Sequence, residues 1–386
     1  MKEWEKVRLG DCIQEINDRT IKNNQYEVLT SSKSGIYSQE EYFDKQVASK
    51  DNIGYKIIKR GQFTYRSMSD SGRFTINRLE NKEIGIVSPA YPVFEAIKIN
   101  PVYLKYYFES ELFRKAIHNL SQGSTRTALK YKDLCEIEIL LPRIDEQNKI
   151  VEILENVNKI IENLQKNIEL IKKLKKNIFI EFYNNLNDRN STIKELKELG
   201  SILKGNGLSK QDISCVGKEC ILYGELYTKY NEIVENIDSR TNAQLTKPIY
   251  SIKEDVLIPS SGETDIDIST ATCVMKDNVI LGGDLNVFRK RSNIIDGRYI
   301  SYVINYVKKH EIARLAQGFS VVHLYGEHLK KIKIKVPSLN VQTQLIKLLE
   351  VMTKKEIKLK EKEKTFKNIK KGLIQRLLTG KVSVNA

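Results

Sequence analysis

The sequence predicts an α+β chain of two tandem mixed α/β domains, separated by two long helices that form an antiparallel coiled coil with approximate two-fold symmetry. Three observations carry this expectation. Residues 122–179 resemble residues 317–374, a long helical apolar pattern follows each copy's last strand, and the remainder breaks into short strand-like runs. The boundaries that follow are 1–145 for the first domain, 146–188 for the first helix, 189–340 for the second domain and 341–386 for the second helix and tail.

The internal similarity of the chain bounds its domain organisation. At a constant offset of 195, Gln122-Gly123 matches Gln317-Gly318, and Leu129 and Leu134 match Leu324 and Leu329. Ile137-x-Ile139-x-x-Pro142 matches Ile332-x-Ile334-x-x-Pro337, and Gln147 matches Gln342. Leu154, Glu155, Lys159 and Leu164 recur as Leu349, Glu350, Lys354 and Leu359, and Lys172, Lys175 and Lys176 as Lys367, Lys370 and Lys371. That makes fifteen identities over 58 ungapped positions. With small slips the likeness extends upstream: Leu9-Gly10 pairs with Leu199-Gly200, and Tyr103 and Tyr106 with Tyr299 and Tyr302. A unit of half the chain is far longer than a solenoid repeat, so two fused domains are expected.

Within each copy, β-branched runs read as strands: Tyr55–Lys59, Phe63–Arg66, Ile84–Ser88 and Ile137–Leu141, then Asp255–Ile258, Val279–Leu281 and Ile332–Val336. They are short, broken by Gly, Ser and Asn, and lack regular intervening helices, which argues against a doubly wound sheet. Asn100-Pro101 predicts a capped helix start with Tyr103, Tyr107 and Phe108 on one face.

From Glu146 to about Leu186 the apolar residues Ile150, Leu154, Val157, Ile161, Leu164, Ile168, Ile171, Leu174, Ile178 and Phe182 recur in steps of three and four. Forty helical residues span about 60 Å, and a stripe that long needs another helix. Met352, Leu359, Phe366 and Leu373 supply one in the second copy, with Glu356 and Glu363 weakening the alternate seam positions.

Composition narrows the function. Lys plus Arg is 64 against 49 acidic residues, a net charge of +15, which suits a polyanionic partner. No apolar run is long enough to span a bilayer and the start is polar, so a cytoplasmic protein with no membrane partner is expected. Cys12, Cys135, Cys215, Cys220 and Cys273 form no C-x-x-C pair, and His118, His310, His323 and His328 stand in no zinc-finger spacing with them. No metal site is therefore expected.

Asn100-Pro101-Val102-Tyr103 approaches the N-P-P-Y signature of adenine methyltransferases but lacks the second Pro and a preceding Gly-rich cofactor loop. A helix cap explains it better. Gly205-Asn206-Gly207 and Gly282-Gly283 read as turns, no phosphate-binding G-x-x-x-x-G-K-[ST] loop occurs, and Glu263-Thr264-Asp265-Ile266-Asp267 reads as a solvated loop. No catalytic residue is expected.

The chain resembles the specificity (S) subunit of type I restriction–modification enzymes over nearly its whole length. The residues that carry this are Gln122-Gly123-Ser124, Leu134-x-x-Ile137-x-Ile139-x-x-Pro142, Glu146-Gln147 and the tail Lys371–Lys381, with Trp4 and Leu9-Gly10-Asp11 at the start. Val341-Gln342 stands where Glu-Gln is usual, and Gly318-Phe319-Ser320 loosens the Gly-Ser pattern. The resemblance implies two target-recognition domains, each reading half of a split double-stranded DNA sequence, with the helices setting the gap. It also implies two methyltransferase (M) subunits docked on the helices and restriction motor-nuclease (R) subunits for cleavage. S-adenosylmethionine, ATP and Mg would belong to those partners, and no cofactor to this chain.

Candidate DNA contacts lie in the polar loops. In the first copy these are Arg66, Ser67, Arg73, Arg126 and Lys130; in the second, Ser260, Ser261, Arg289, Arg291 and His323. Arg offers paired donors to guanine, and Ser suits phosphate. Arg66, Arg73 and Arg126 are the preferred readers, and Arg126→Ala is expected to affect one half-site only. Two other readings compete, a stand-alone adenine methyltransferase or nuclease and a coiled-coil adaptor without DNA binding. The missing cofactor motifs oppose the first, and the second leaves the duplicated Arg- and Ser-bearing loops unexplained.

Overall fold

The computed structural model describes residues 4–43, 51–69, 72–120, 127–318 and 320–382. The chain forms two compact units. The first comprises Met1–Gln165 with Lys360–Ala386, and the second Lys166–Leu359. Each unit therefore contains one globular domain and a half of each long helix, Ile144–Asn184 and Leu339–Leu377.

In the first unit, Glu5–Arg8 pairs antiparallel with Glu138–Leu141. A four-stranded sheet runs Ile13–Glu15, Val93–Ala96, Phe63–Tyr65, Ile76–Arg78. Lys56–Lys59 pairs with Ile84–Val87 beside it. The second unit repeats the pattern: Ser191–Glu195 pairs with Lys333–Pro337, and Gly200–Lys204, Leu285–Lys290, Asp255–Pro259 and Thr272–Val274 lie in the same order as their counterparts. A second five-stranded sheet, Ile213–Ser214 to Ile249–Tyr250 at its edges, adds to this domain. All seven sequence-read strands are present within a residue or two. The six-residue strand Leu285–Lys290, which lies between Gly200–Lys204 and Asp255–Pro259 in the second unit's sheet, was not among them. Its Leu-Asn-Val-Phe run alternates too weakly to announce itself, because four successive residues are buried.

The duplicated Leu-Gly has a packing cause. Leu9 and Leu199 are buried. A β-carbon at Gly10 would sit 2.8 Å from that of Cys135, and one at Gly200 would sit 2.4 Å from the Arg289 carbonyl oxygen. The short helices are capped as expected. Asn100 accepts from the amides of Val102 and Tyr103 at the start of Pro101–Glu109, and Asp296 accepts from the Arg298 amide at the start of Gly297–Val303.

The repeated glutamines join these caps to the long helices. Gln147 donates to the Pro142 carbonyl and accepts from the Asn100 amide, each at 2.8 Å. Gln342 donates to the carbonyls of Pro337 and Ile294 and accepts from the Asp296 amide at 3.0 Å. Both side chains are buried, so each clamp satisfies backbone groups that would otherwise be stranded.

Within each unit the helices run antiparallel. Ile150 and Leu154 share a core with Ile374, Leu377 and Leu378 in the first unit, where Gln165 bonds Glu363. Phe179 and Tyr183 share one with Leu345, Ile346 and Leu349 in the second. The predicted stripe needs one correction. Beyond Ile168 the buried residues are Lys175, Phe179 and Tyr183, and Leu174 is 53% exposed. Residues advance about 100° each around a helix, so two successive steps of three from Ile168 leave Leu174 about 100° away from Lys175, which the seven-residue step keeps in line.

Candidate nucleic-acid interface

Each unit carries a two-stranded ladder at the end of its central strand. In the first, Ser69 pairs with Thr127 and Met68 with Ala128; in the second, Gly262 pairs with Val322 and Ser261 with His323. One further hydrogen bond repeats, from the Leu129 amide to the Ser67 carbonyl at 2.9 Å and from the Leu324 amide to the Ser260 carbonyl at 3.0 Å. Ser67 and Ser260 are thus equivalent, as are Met68 and Ser261, and Ala128 and His323. Leu129 and Leu324 point into their cores and fix which side chains face outward.

The ladder of the first unit gathers Arg66, Ser67 and Lys130. Arg66 is exposed, Ser67 donates to the Ala90 carbonyl at 3.0 Å, and exposed Lys130 precedes the short helix Tyr131–Cys135. Arg73 is exposed, and its amide donates to the Ser69 hydroxyl. It lines a cavity of about 740 Å³ with Lys33, Arg114 and His118. A neighbouring cavity of about 650 Å³ also contains Lys33 and Arg114, and adds Lys105, Lys367 and Lys371. Arg126, with the rest of Gln122–Arg126, lies outside the described residues.

In the second unit Ser260, Ser261 and His323 come together. Ser260 and Ser261 are buried, the Ser261 hydroxyl lies 3.1 Å from Nδ1 of His323, and His323 is exposed. The turn before it is tight: the Gln317 amide donates to the His323 carbonyl at 3.0 Å, and the His323 amide to the Gln317 carbonyl at 2.7 Å. Gly318 lies between them with φ +123°, where a β-carbon would stand 2.2 Å from the Val321 carbonyl oxygen. The glycine of the repeated Gln-Gly is demanded by that turn.

Arg289 and Arg291 do not join this group. Arg289 gives its guanidinium to Asp255, at 2.6 Å, and to the Tyr250 carbonyl at 2.8 Å. Asp255 is buried, and the side-chain hydrogen bonds to it raise the Arg289 pKa further. Exposed Arg291 follows on the same strand's exit. Asp255 and Ser260 stand at opposite ends of one strand, about 16 Å apart. Arg289 therefore braces the sheet. Spacing alone missed two outward side chains, Val321 and Tyr325, which flank His323 with 51% and 47% exposure. The alternation of Val321, His323 and Tyr325 with buried Val322 and Leu324 was the available signal.

The sequence's other candidates resolve locally. Thr264 caps the turn Asp265–Ile268, and its hydroxyl donates to Asp267 at 2.6 Å. Among the described residues no group of three His, Cys, Asp or Glu side chains could hold a metal ion, and no helix is long and apolar enough to cross a membrane.

The two units are copies of one scaffold, alike in the backbone bonds of their ladders and unlike in the side chains those ladders turn outward. The chain belongs to the type I restriction modification DNA specificity family, whose domain model matches residues 1–173 and again 188–366. It is a DNA specificity subunit, the non-catalytic component of such systems. Two solved structures share its fold. One comes from work on complex assembly and conformational transition of the type I R-M system, with 14% identity, TM-score 0.62 and 99% of each chain covered. The other is the type I S subunit from M. genitalium, with 15% identity, TM-score 0.54, and 97% and 96% covered.

Proposed function

We propose that each unit reads one half of a bipartite duplex site through its ladder and the loops beside it. The observation that carries this is the repeated ladder itself, with identical backbone bonding around Ser67 and Ser260 but different groups turned outward. In the first unit, Arg66, Arg73, Arg126 and Lys130 supply cations for guanine edges and phosphates, and the adjoining basic cavities extend the phosphate path. In the second unit Ser260, Ser261 and His323 act at the equivalent place, with Arg291 as a peripheral cation.

The chain works in the cytoplasm with two methyltransferase subunits bound along its long helices, and with motor-nuclease subunits when cleavage occurs. S-adenosylmethionine, ATP and Mg are held by those partners. The recognition domains correspond to residues 1–145 and 189–340.

The test is methylome mapping of the host with wild-type and Arg66→Ala chains. The wild type is expected to give a split adenine-methylation motif. Arg66→Ala should relax one half by about 1–3 kcal/mol of discrimination and leave the other unchanged. Equal relaxation of both halves would contradict separate readers.

A further inference from the structure

We propose that the outward edge of residues 321–325 reads bases in the second unit's half-site, with His323 donating to a purine N7 and Val321 meeting a thymine methyl. This rests on the reading of the units as separate half-site readers and adds which atoms are read.

The segment alternates. Val322 and Leu324 are buried, which turns Val321, His323 and Tyr325 to the outside together. Its backbone is held on both sides, by the ladder to Ser261–Gly262 and by the reciprocal Gln317–His323 pair. An edge this fixed presents side chains in defined positions, as base reading requires.

The imidazole is also oriented. The Ser261 hydroxyl lies 3.1 Å from Nδ1, and the proposed tautomer is the one in which Nδ1 accepts from that hydroxyl and Nε2 carries the proton. Nε2–H is a donor, and every purine shows an N7 acceptor in the major groove. Ser261 is a positioning residue here. Val321 offers only a branched apolar surface, whose match on a base edge is the thymine C5-methyl. Tyr325 stands beside this pair with its ring set edge-on to His328, centroids 5.9 Å apart.

The first unit provides the contrast. At the His323 and Ser261 positions it has Ala128 and Met68, the latter 55% exposed, and at the Tyr325 position it has Lys130. The scaffold is common and the chemistry at the outward positions is not. Side chains free to differ while their inward neighbours Leu129 and Leu324 stay the same are placed to encode different half-sites.

The experiment uses the chain assembled with its methyltransferase partners and a duplex carrying the site found in the host methylome. The relevant half-site is the one insensitive to Arg66→Ala. Each purine there is replaced singly by its 7-deaza analogue, and each thymine by deoxyuridine. The wild type should lose affinity roughly fivefold or more at one purine and a smaller factor at one thymine. His323→Ala should abolish the first sensitivity and Val321→Ala the second. Ser261→Ala should weaken the N7 sensitivity, and Ser261→Thr should restore it, which keeps the test open if His323→Ala folds poorly. A uniform loss at all positions, with no purine whose 7-deaza effect depends on His323, overturns the assignment. So does a dependence found in the other half-site. A wild-type complex that binds a scrambled duplex equally well overturns the half-site reading beneath it as well.

Discussion

Lys175 lies in the second unit with its ammonium 3.2 Å from Glu232 and 3.5 Å from Glu356, and accepted by the Thr353 hydroxyl. Lys175 and Glu356 are both buried. Glu232 also receives the Tyr306 hydroxyl, so the cluster ties a loop of the globular domain to both helices. Removing the cation strands two carboxylates away from water, and breaking such a pair costs about 3–5 kcal/mol. Lys175→Met should lower the second unit's stability by that amount in urea denaturation. Adding Glu356→Leu should recover part of it, since one stranded charge is then gone. In the sequence Lys175 stands out only as a lysine repeated at Lys370. Its burial was illegible because Glu232 and Glu356 come from far along the chain. The Asn100 cap, by contrast, is a local hydrogen-bond pattern and was read correctly.

The buried tyrosines give a pH dependence at the same scale. Burial raises the phenol pKa values of Tyr103, Tyr107, Tyr299 and Tyr302 above the ordinary value near 10. Below about pH 9 these groups are neutral whether the chain is folded or unfolded, and they leave stability unchanged. Above it the unfolded chain releases protons that the folded chain retains, so stability falls with rising pH. Urea midpoints should be level from neutral pH to about 9 and decline by pH 11. A phenolate absorbance titration should place the ionisation of these residues together with unfolding.

The long helices were the most legible elements, since their length and partnership followed from apolar spacing. What spacing hid was the identity of the most buried line. In the first helix it runs Gln147, Leu154, Ile161, Ile168, Lys175, and in the second it includes Gln342, Leu349, Glu356 and Leu377. The line keeps a seven-residue step while admitting polar side chains, because each has a partner: the cap amides for the glutamines, Lys175 for Glu356, and Gln165 for partly buried Glu363. Apolar counting discards those positions. The Gln342 clamp is testable directly. Gln342→Leu keeps the volume but strands the Asp296 amide and the Ile294 and Pro337 carbonyls. At about 1–3 kcal/mol for each buried orphan, partly relieved by relaxation, a net loss of about 2–4 kcal/mol is expected. Hydrogen exchange should report it first at the start of Gly297–Val303.

At the scale of the whole molecule the two units use the chain in different orders. The second is continuous, helix, domain, helix, whereas the first takes its closing helix from residues after 359. Ile374, Leu377 and Leu378 complete the first unit's core beside Leu9, Ile150 and Leu154, so residues near both ends of the sequence stabilise one unit. Trp4, the single tryptophan, packs on this closure, with ring atoms 3.6 Å from the β-carbon position at Gly380. Its fluorescence therefore reports one unit only. Leu377→Asp places an unpaired carboxylate in a core position that is 2% exposed, a change large enough to unfold a marginal domain. The expected result is a red-shifted Trp4 emission and lost amide protection in residues 4–120, with protection in residues 191–336 retained. Equal loss in the second unit would show that the two fold as one cooperative block. If the second unit holds alone, Leu377→Asp should also spare reading of its half-site by the assembled complex, which methylation of duplexes altered in one half at a time would measure.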